Sequence, residues 1–194
     1  PNTPIDILIK LSKDEDWDVR NSVTKNTSIP VDILIEWSKS EYSSVKQNVA
    51  INPNTPKEIL IKLSEDEDEN VRMFVALNPN TPIDILIKLS KDNWGVRQSI
   101  ASNPNTPIDI LKKLCNDTEW IVRMDVASNP NTPPDILNSL SKDKSGWVRI
   151  NVASNPNTPN DILQELSKEE DWTIRKNVAK NPNTPKEALI ELSK

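Results

Sequence analysis

Six arginines stand at one position of a recurring stretch: Arg20, Arg72, Arg97, Arg123, Arg149 and Arg175. Each directly follows a valine or isoleucine, and Lys46 takes the place once. Guanidinium groups at fixed spacing suit phosphates or carboxylates, because each planar fork offers five N–H donors. Five of the six tryptophans, Trp17, Trp94, Trp120, Trp147 and Trp172, fall just before these arginines. Flat rings beside cations could stack bases or grip a peptide. The same residues also have structural uses. Asp16, Asp68, Glu119 and Asp171 lie four residues before their arginines, the favourable acid-then-base order for pairing along a helix. Such charges staple neighbouring units of a stack, and a repeating tryptophan packs between them with its N–H on a partner. Trp37 stands apart, in the slot of Leu11, and reads as core.

Little else has reactive potential. There is no histidine and a single cysteine. That removes the commonest general base, ordinary zinc ligation and any disulfide framework. Cys115 occupies the slot of Ser12, Ser64 and Ser90 with no base beside it, so it reads as a small-residue substitution. The run Glu65–Glu69 lacks the glycine and alternation of a calcium loop and reads as a solvated turn. A net charge of −5 disfavours non-specific binding to nucleic acid, where phosphate contacts dominate. No apolar run approaches the ~20 residues of a membrane span. These features predict a non-enzymatic protein with no cofactor, no metal and no membrane segment.

What positions these residues is a repeat. The pentapeptide Asn-Pro-Asn-Thr-Pro, or a relic of it, closes at Pro4, Pro30, Pro56, Pro82, Pro107, Pro133, Pro159 and Pro185. The interval is 26 residues throughout, except for 25 between Pro82 and Pro107. A fixed period of this size signals stacked units, none able to bury a core alone. Residues 1–194 therefore read as one all-α solenoid domain of seven repeats and a partial eighth. Residue 1 lies inside a motif, so the chain reads as cut from something longer.

Two helices fit each repeat. Thr-Pro-x-Asp starts the first, with threonine as cap, proline at the first helical position and the acid favouring the positive end. Apolar residues follow at offsets three, four and seven from the proline, as in Ile7, Leu8 and Leu11, which is one helix face. The positions between them tolerate Lys112, Asn138 and Gln164. The second helix starts near Asp16 or Trp17 and buries sets such as Val71-Val75-Ala76 and Val122-Val126-Ala127. Its alanine predicts a close helix approach. It must stop before Asn-Pro, since the residue before a proline avoids the α region. The first asparagine of each pentapeptide never varies, from Asn26 to Asn181, and predicts a stacked, hydrogen-bonded turn.

Pro-x-Asp-Ile-Leu-x-x-Leu followed by Trp-x-Val-Arg-x-x-Val-Ala-x-Asn-Pro-Asn-Thr-Pro resembles the leucine-rich repeat variant family of bacterial and archaeal proteins. The resemblance spans essentially the whole chain. It implies a right-handed superhelix of alternating α and 3₁₀ helices without β-sheet, related to HEAT-type solenoids. Some members carry an iron–sulfur domain, for which this chain lacks the cysteines. The resemblance implies a fold far more than an activity.

Function is therefore sought where the repeats differ. The two positions after each arginine vary in kind: Met73-Phe74, Gln98-Ser99, Met124-Asp125 and Ile150-Asn151, against Asn21-Ser22 or Lys176-Asn177. A varying surface on a constant frame is how repeat proteins present a binding face. Met73, Phe74, Gln98, Met124, Asp125, Ile150 and Asn151 are the predicted partner-binding face, for a protein or peptide. The alternatives are a nucleic-acid track along the arginines and a passive spacer in a larger protein. Open terminal repeats would also allow end-to-end self-association.

Overall fold

The computed structural model describes residues 3–193, and the Trp17 side chain lies outside the described residues. Among the described residues there are fifteen helices and no strand. The first helices of successive repeats are α1 (Ile5–Leu11), α3 (Val31–Trp37), α5 (Lys57–Leu63), α7 (Ile83–Leu89), α9 (Ile108–Leu114), α11 (Pro134–Leu140), α13 (Asn160–Leu166) and α15 (Lys186–Leu192). The second helices are α2 (Trp17–Thr24), α4 (Ser43–Ile51), α6 (Glu69–Leu77), α8 (Trp94–Ser102), α10 (Trp120–Ser128), α12 (Gly146–Ser154) and α14 (Trp172–Lys180). Both members of every pair are α-helical. The 3₁₀ character implied by the resemblance is confined to i→i+3 bonds at helix ends, such as Ile7 N–H to the Pro4 carbonyl and Lys13 N–H to the Lys10 carbonyl.

The start of the first helix differs from the predicted cap. Pro4, Pro56 and Pro82 are extended, with ψ of 142°, 146° and 145°, so proline sits just outside the helix. Its carbonyl accepts the first helical N–H bonds, as from Leu8 to Pro4. No side chain caps these helices. The threonine hydroxyl turns backward instead: Thr55, Thr132 and Thr158 donate to the carbonyls of Val49, Val126 and Val152 in the preceding second helix. That carbonyl also accepts the N–H of the asparagine that ends its helix, as Val49 does from Asn52, and the hydroxyl supplies its second bond.

The invariant asparagine joins one repeat to the next. Asn78 Nδ2 donates to the carbonyls of Ala50 at 2.6 Å and Asn52 at 2.9 Å, while its Oδ1 accepts from Asn80 N–H at 2.8 Å. Asn155 makes the same three bonds in its repeat. Both residues are buried, so each bond replaces hydration that burial removes.

Contacts divide the chain into two compact units, Pro1–Asn103 and Pro104–Lys194. The boundary follows the shortened repeat. In each unit the second helices pack side by side, α4 on α6 and α6 on α8, then α10 on α12 and α12 on α14. The first helices lean on the second helices before and after them. The core of the N-terminal unit includes Leu34, Leu60 and Leu86 with Val49, Val71 and Val75; that of the C-terminal unit includes Leu111, Leu137 and Leu163 with Val122, Val148 and Val152. Ala50, Ala76, Ala127 and Ala153 are fully buried where the second helices meet.

Candidate functional site

The arginines lie on the second helices and turn back over the bend that joins the two helices of their own repeat. Arg72 Nη1 donates to the Asp66 and Glu67 carbonyls at 2.8 and 3.1 Å. Arg123, Arg175 and Arg20 do the same, with leading bonds of 2.7, 2.7 and 2.6 Å, and Arg149 and Arg97 donate to the Asp143 and Asp92 carbonyls at 2.7 Å each. The rest of the fork reaches the following repeat. Arg72 pairs with Asp92 through Nε and Nη2 at 2.7 and 3.0 Å, and Arg123 with Asp143 at 2.6 and 3.0 Å. Arg149 pairs with Glu169, and Lys46 with Asp66.

The ion pairs thus join acid and base 20 residues apart, not the predicted four. Three of the four acids four residues upstream are engaged elsewhere. Asp16, Asp68 and Asp171 cap their own helices, accepting from Asp18, Asn70 and Thr173 N–H. The Arg123–Asp143 pair is enclosed, with side chains 8% and 9% exposed. Burial pushes the Asp143 carboxyl up, but the Arg123 guanidinium and Ser145 N–H outweigh it and hold it below the usual carboxylate range. Hydrogen bonding from Arg72 likewise lowers Asp92.

The acidic run is an attachment point rather than a free turn. Asp66 holds Lys46, Glu65 holds Lys88, and Glu69 accepts from Asn93 Nδ2 at 2.8 Å. Among the described residues, no cluster of three or more acid or cysteine side chains could hold a metal ion. Cys115 is buried, and its Sγ donates to the Lys112 carbonyl at 3.1 Å. Ser64, Ser90 and Ser141 make the same bond three residues back. Burial raises the Cys115 thiol above its ordinary value, which depletes the thiolate that a nucleophile needs.

The predicted variable face lies along the seam between second helices. Met73, Phe74, Gln98, Met124, Asp125, Ile150 and Asn151 are all half-buried. The N-terminal unit explains why. Asn48 Nδ2 donates to Asn21 Oδ1 and Thr24 Oγ1, so the first position after Arg20 abuts the second position after Lys46. Met73 Sδ lies 3.9 Å from where a Cβ on Gly95 would stand. Variation here therefore adjusts fit between neighbouring helices as well as the exposed surface.

The tryptophans depart from the expected packing between units. Trp94 in the N-terminal unit is 52% exposed; Trp120, Trp147 and Trp172 in the C-terminal unit are 41%, 61% and 64% exposed. Each stands in the first turn of its helix, where the chain has just left the bend, so its ring projects past the seam. Lys176 Nζ lies 5.6 Å from the centre of the Trp172 ring, a cation–π contact. Trp37 is half-buried at the end of α3 rather than in the core. A second exposed set, the isoleucines at positions one and five of the first helices, was not singled out from sequence. The tolerance for Lys112, Asn138 and Gln164 was its available signal.

These features define an all-α repeat protein whose polar side chains tie neighbouring repeats together. No family model matches the chain, and no curated protein matches it. Among solved structures, a leucine-rich repeat variant with a novel repetitive motif aligns at 28% identity and a TM-score of 0.64, over 97% of this chain and 76% of that one. Two engineered proteins align at 18% identity with TM-scores of 0.45 and 0.35, over 98% and 97% of this chain and 68% and 96% of theirs. In repeat motif and fold, the chain is similar to this leucine-rich repeat variant.

Proposed function

We propose that this chain is a non-enzymatic scaffold that binds protein or peptide partners along its second helices. One observation carries the reading: three large rings, Trp120, Trp147 and Trp172, stand exposed in the first turns of consecutive second helices of the C-terminal unit, Trp147 one position further along than the other two. Tryptophan is a costly residue to leave in water and is enriched where partners bind. The half-buried Met124 and Ile150 follow on the same helices and extend the apolar area. In the N-terminal unit, Trp94 with Met73 and Phe74 supplies a similar surface.

The arginine row favours this reading over a nucleic-acid track. Arg72, Arg123 and Arg149 each hold an acid and a backbone carbonyl. A phosphate would have to displace both.

Immobilised chain, offered lysate from its source with and without nuclease, tests the proposal. Proteins retained in both arms, and lost when Trp120, Trp147 and Trp172 become Ala together, support it. Met73→Ala with Phe74→Ala should weaken capture at unchanged helicity if the N-terminal unit contributes. Retention that disappears with nuclease, or that ignores the tryptophan changes, refutes it.

A further inference from the structure

The first helices carry a pattern that partner binding through the second helices leaves unused. In a seven-residue helix, positions one and five lie a turn apart on one line, and positions two and six on the next. In the N-terminal unit the first line reads Ile5 and Ile9, then Val31 and Ile35, then Ile83 and Ile87; the third repeat has Lys57 and Ile61. All seven apolar members are exposed, from 36% at Ile35 to 58% at Ile5. The frame does not demand them, because the C-terminal unit places Lys112, Asn138, Asn160 and Gln164 at such positions. The second line pairs Asp6 with Lys10, Glu58 with Lys62 and Asp84 with Lys88, all exposed. The second repeat, with Asp32 and Glu36, is the exception.

We propose that this face of the N-terminal unit is a two-fold interface, covered by the same face of a second copy of the chain. Self-pairing is isologous: if position i meets position j, then j meets i. A two-fold axis along the row of helices reverses each facing helix. Position one then meets position five, and position two meets position six. Ile5 falls against Ile9 of the second copy, Val31 against Ile35, and Ile83 against Ile87. Asp6, Glu58 and Asp84 fall against lysines 10, 62 and 88. Apolar and charged lines are therefore complementary to themselves in one and the same arrangement, except that the third repeat sets Lys57 against Ile61 and the second sets like charges together. Lys88 already meets Glu65, but that pair is more than half exposed on both sides and exchanges at little cost. An anionic lipid surface would meet the acids at position two. The acid-then-lysine order also suits each helix by itself, so charge inversion is the deciding measurement.

The mass of the chain, followed by sedimentation equilibrium up to about 100 µM at near-physiological salt, should show a dimer. Ile35→Lys with Ile87→Lys should give a monomer of unchanged circular dichroism, since lysine occupies an equivalent place at Lys112. Changing Lys10, Lys62 and Lys88 to Glu should weaken the dimer roughly tenfold or more. Adding Asp6→Lys, Glu58→Lys and Asp84→Lys should restore it. A chain that is monomeric throughout overturns the proposal, as does a dimer indifferent to the isoleucine changes or not restored by the full inversion. Monomers that co-sediment with vesicles of phosphatidylcholine and phosphatidylserine would assign the face to lipid and also overturn it.

Discussion

Arg123 joins three parts of the chain: its own helix, the Asp117 and Thr118 carbonyls of its bend, and Asp143 of the next repeat. With both side chains enclosed, loss of one partner strands the other away from water. Arg123→Met should therefore cost about 3 kcal/mol of stability. Lys88→Met, which breaks the exposed pair with Glu65, should cost less than about 1 kcal/mol. Urea unfolding of both variants measures the contrast; equal losses would show that enclosure is not what makes the arginine staple matter. The identity and spacing of these arginines were legible in the sequence, but their partners were not. Four residues upstream is the obvious place for an acid, yet Asp68 and Asp171 are held by N–H groups of their own helices. Only stacking brings a carboxylate 20 residues away within reach.

The connection between helices shows how a short motif does several jobs. Asn-Pro-Asn-Thr-Pro ends one helix, starts the next and reaches into the previous repeat. Asn78→Ala would take the side-chain partner from the Ala50 carbonyl and the Asn80 N–H, and would leave the Asn52 carbonyl only the Thr55 N–H. The expected loss is roughly 2–4 kcal/mol, since buried groups left unmade carry their full desolvation cost. Asn80→Ala removes an exposed bond to the Pro53 carbonyl and should cost about 1 kcal/mol or less. Denaturant midpoints, with hydrogen exchange at the Asn80 amide, distinguish the two. Comparable effects would mean that the turn, rather than the link between repeats, depends on the buried asparagine. The helices themselves were legible from proline punctuation and apolar spacing. The role of the threonine was not. A hydroxyl can cap the helix ahead or satisfy the helix behind, and Thr-Pro-x-Asp suits both. The extended proline puts the threonine two residues before the first helical residue, within reach of the valine carbonyl behind it.

Stability across the whole molecule should follow pH through the inter-repeat ion pairs. Asp92 and Asp143 have lowered carboxyl pKa values in the folded chain. Their contribution is thus fully present above the unfolded value of about 4 and is lost as pH falls through the lower folded value. The melting temperature should stay nearly level from neutral pH to about 5 and drop below about 4. Asp92→Asn with Asp143→Asn should lower it at neutral pH and flatten the acid decline, as followed by circular dichroism. An acid limb unchanged in that variant would place the sensitivity in other carboxylates.

The sequence by itself determined that this is an all-α repeat protein, how long each repeat is, and which valines, leucines and alanines face inward. Those properties follow from local periodicity, which neighbouring residues already encode. Tertiary structure decided what the polar and aromatic residues do. It turned Arg72, Arg123 and Arg149 from a presented row into ties between repeats, placed the variable positions in a seam, and left Trp94, Trp120, Trp147 and Trp172 in water. The reason is physical: whether a side chain is covered depends on the neighbouring repeat, some 26 residues away, and not on the spacing within its own helix. The exposed isoleucines of the N-terminal unit illustrate the same limit, because their helical spacing shows them sharing a line while only the packed repeats show that line facing water.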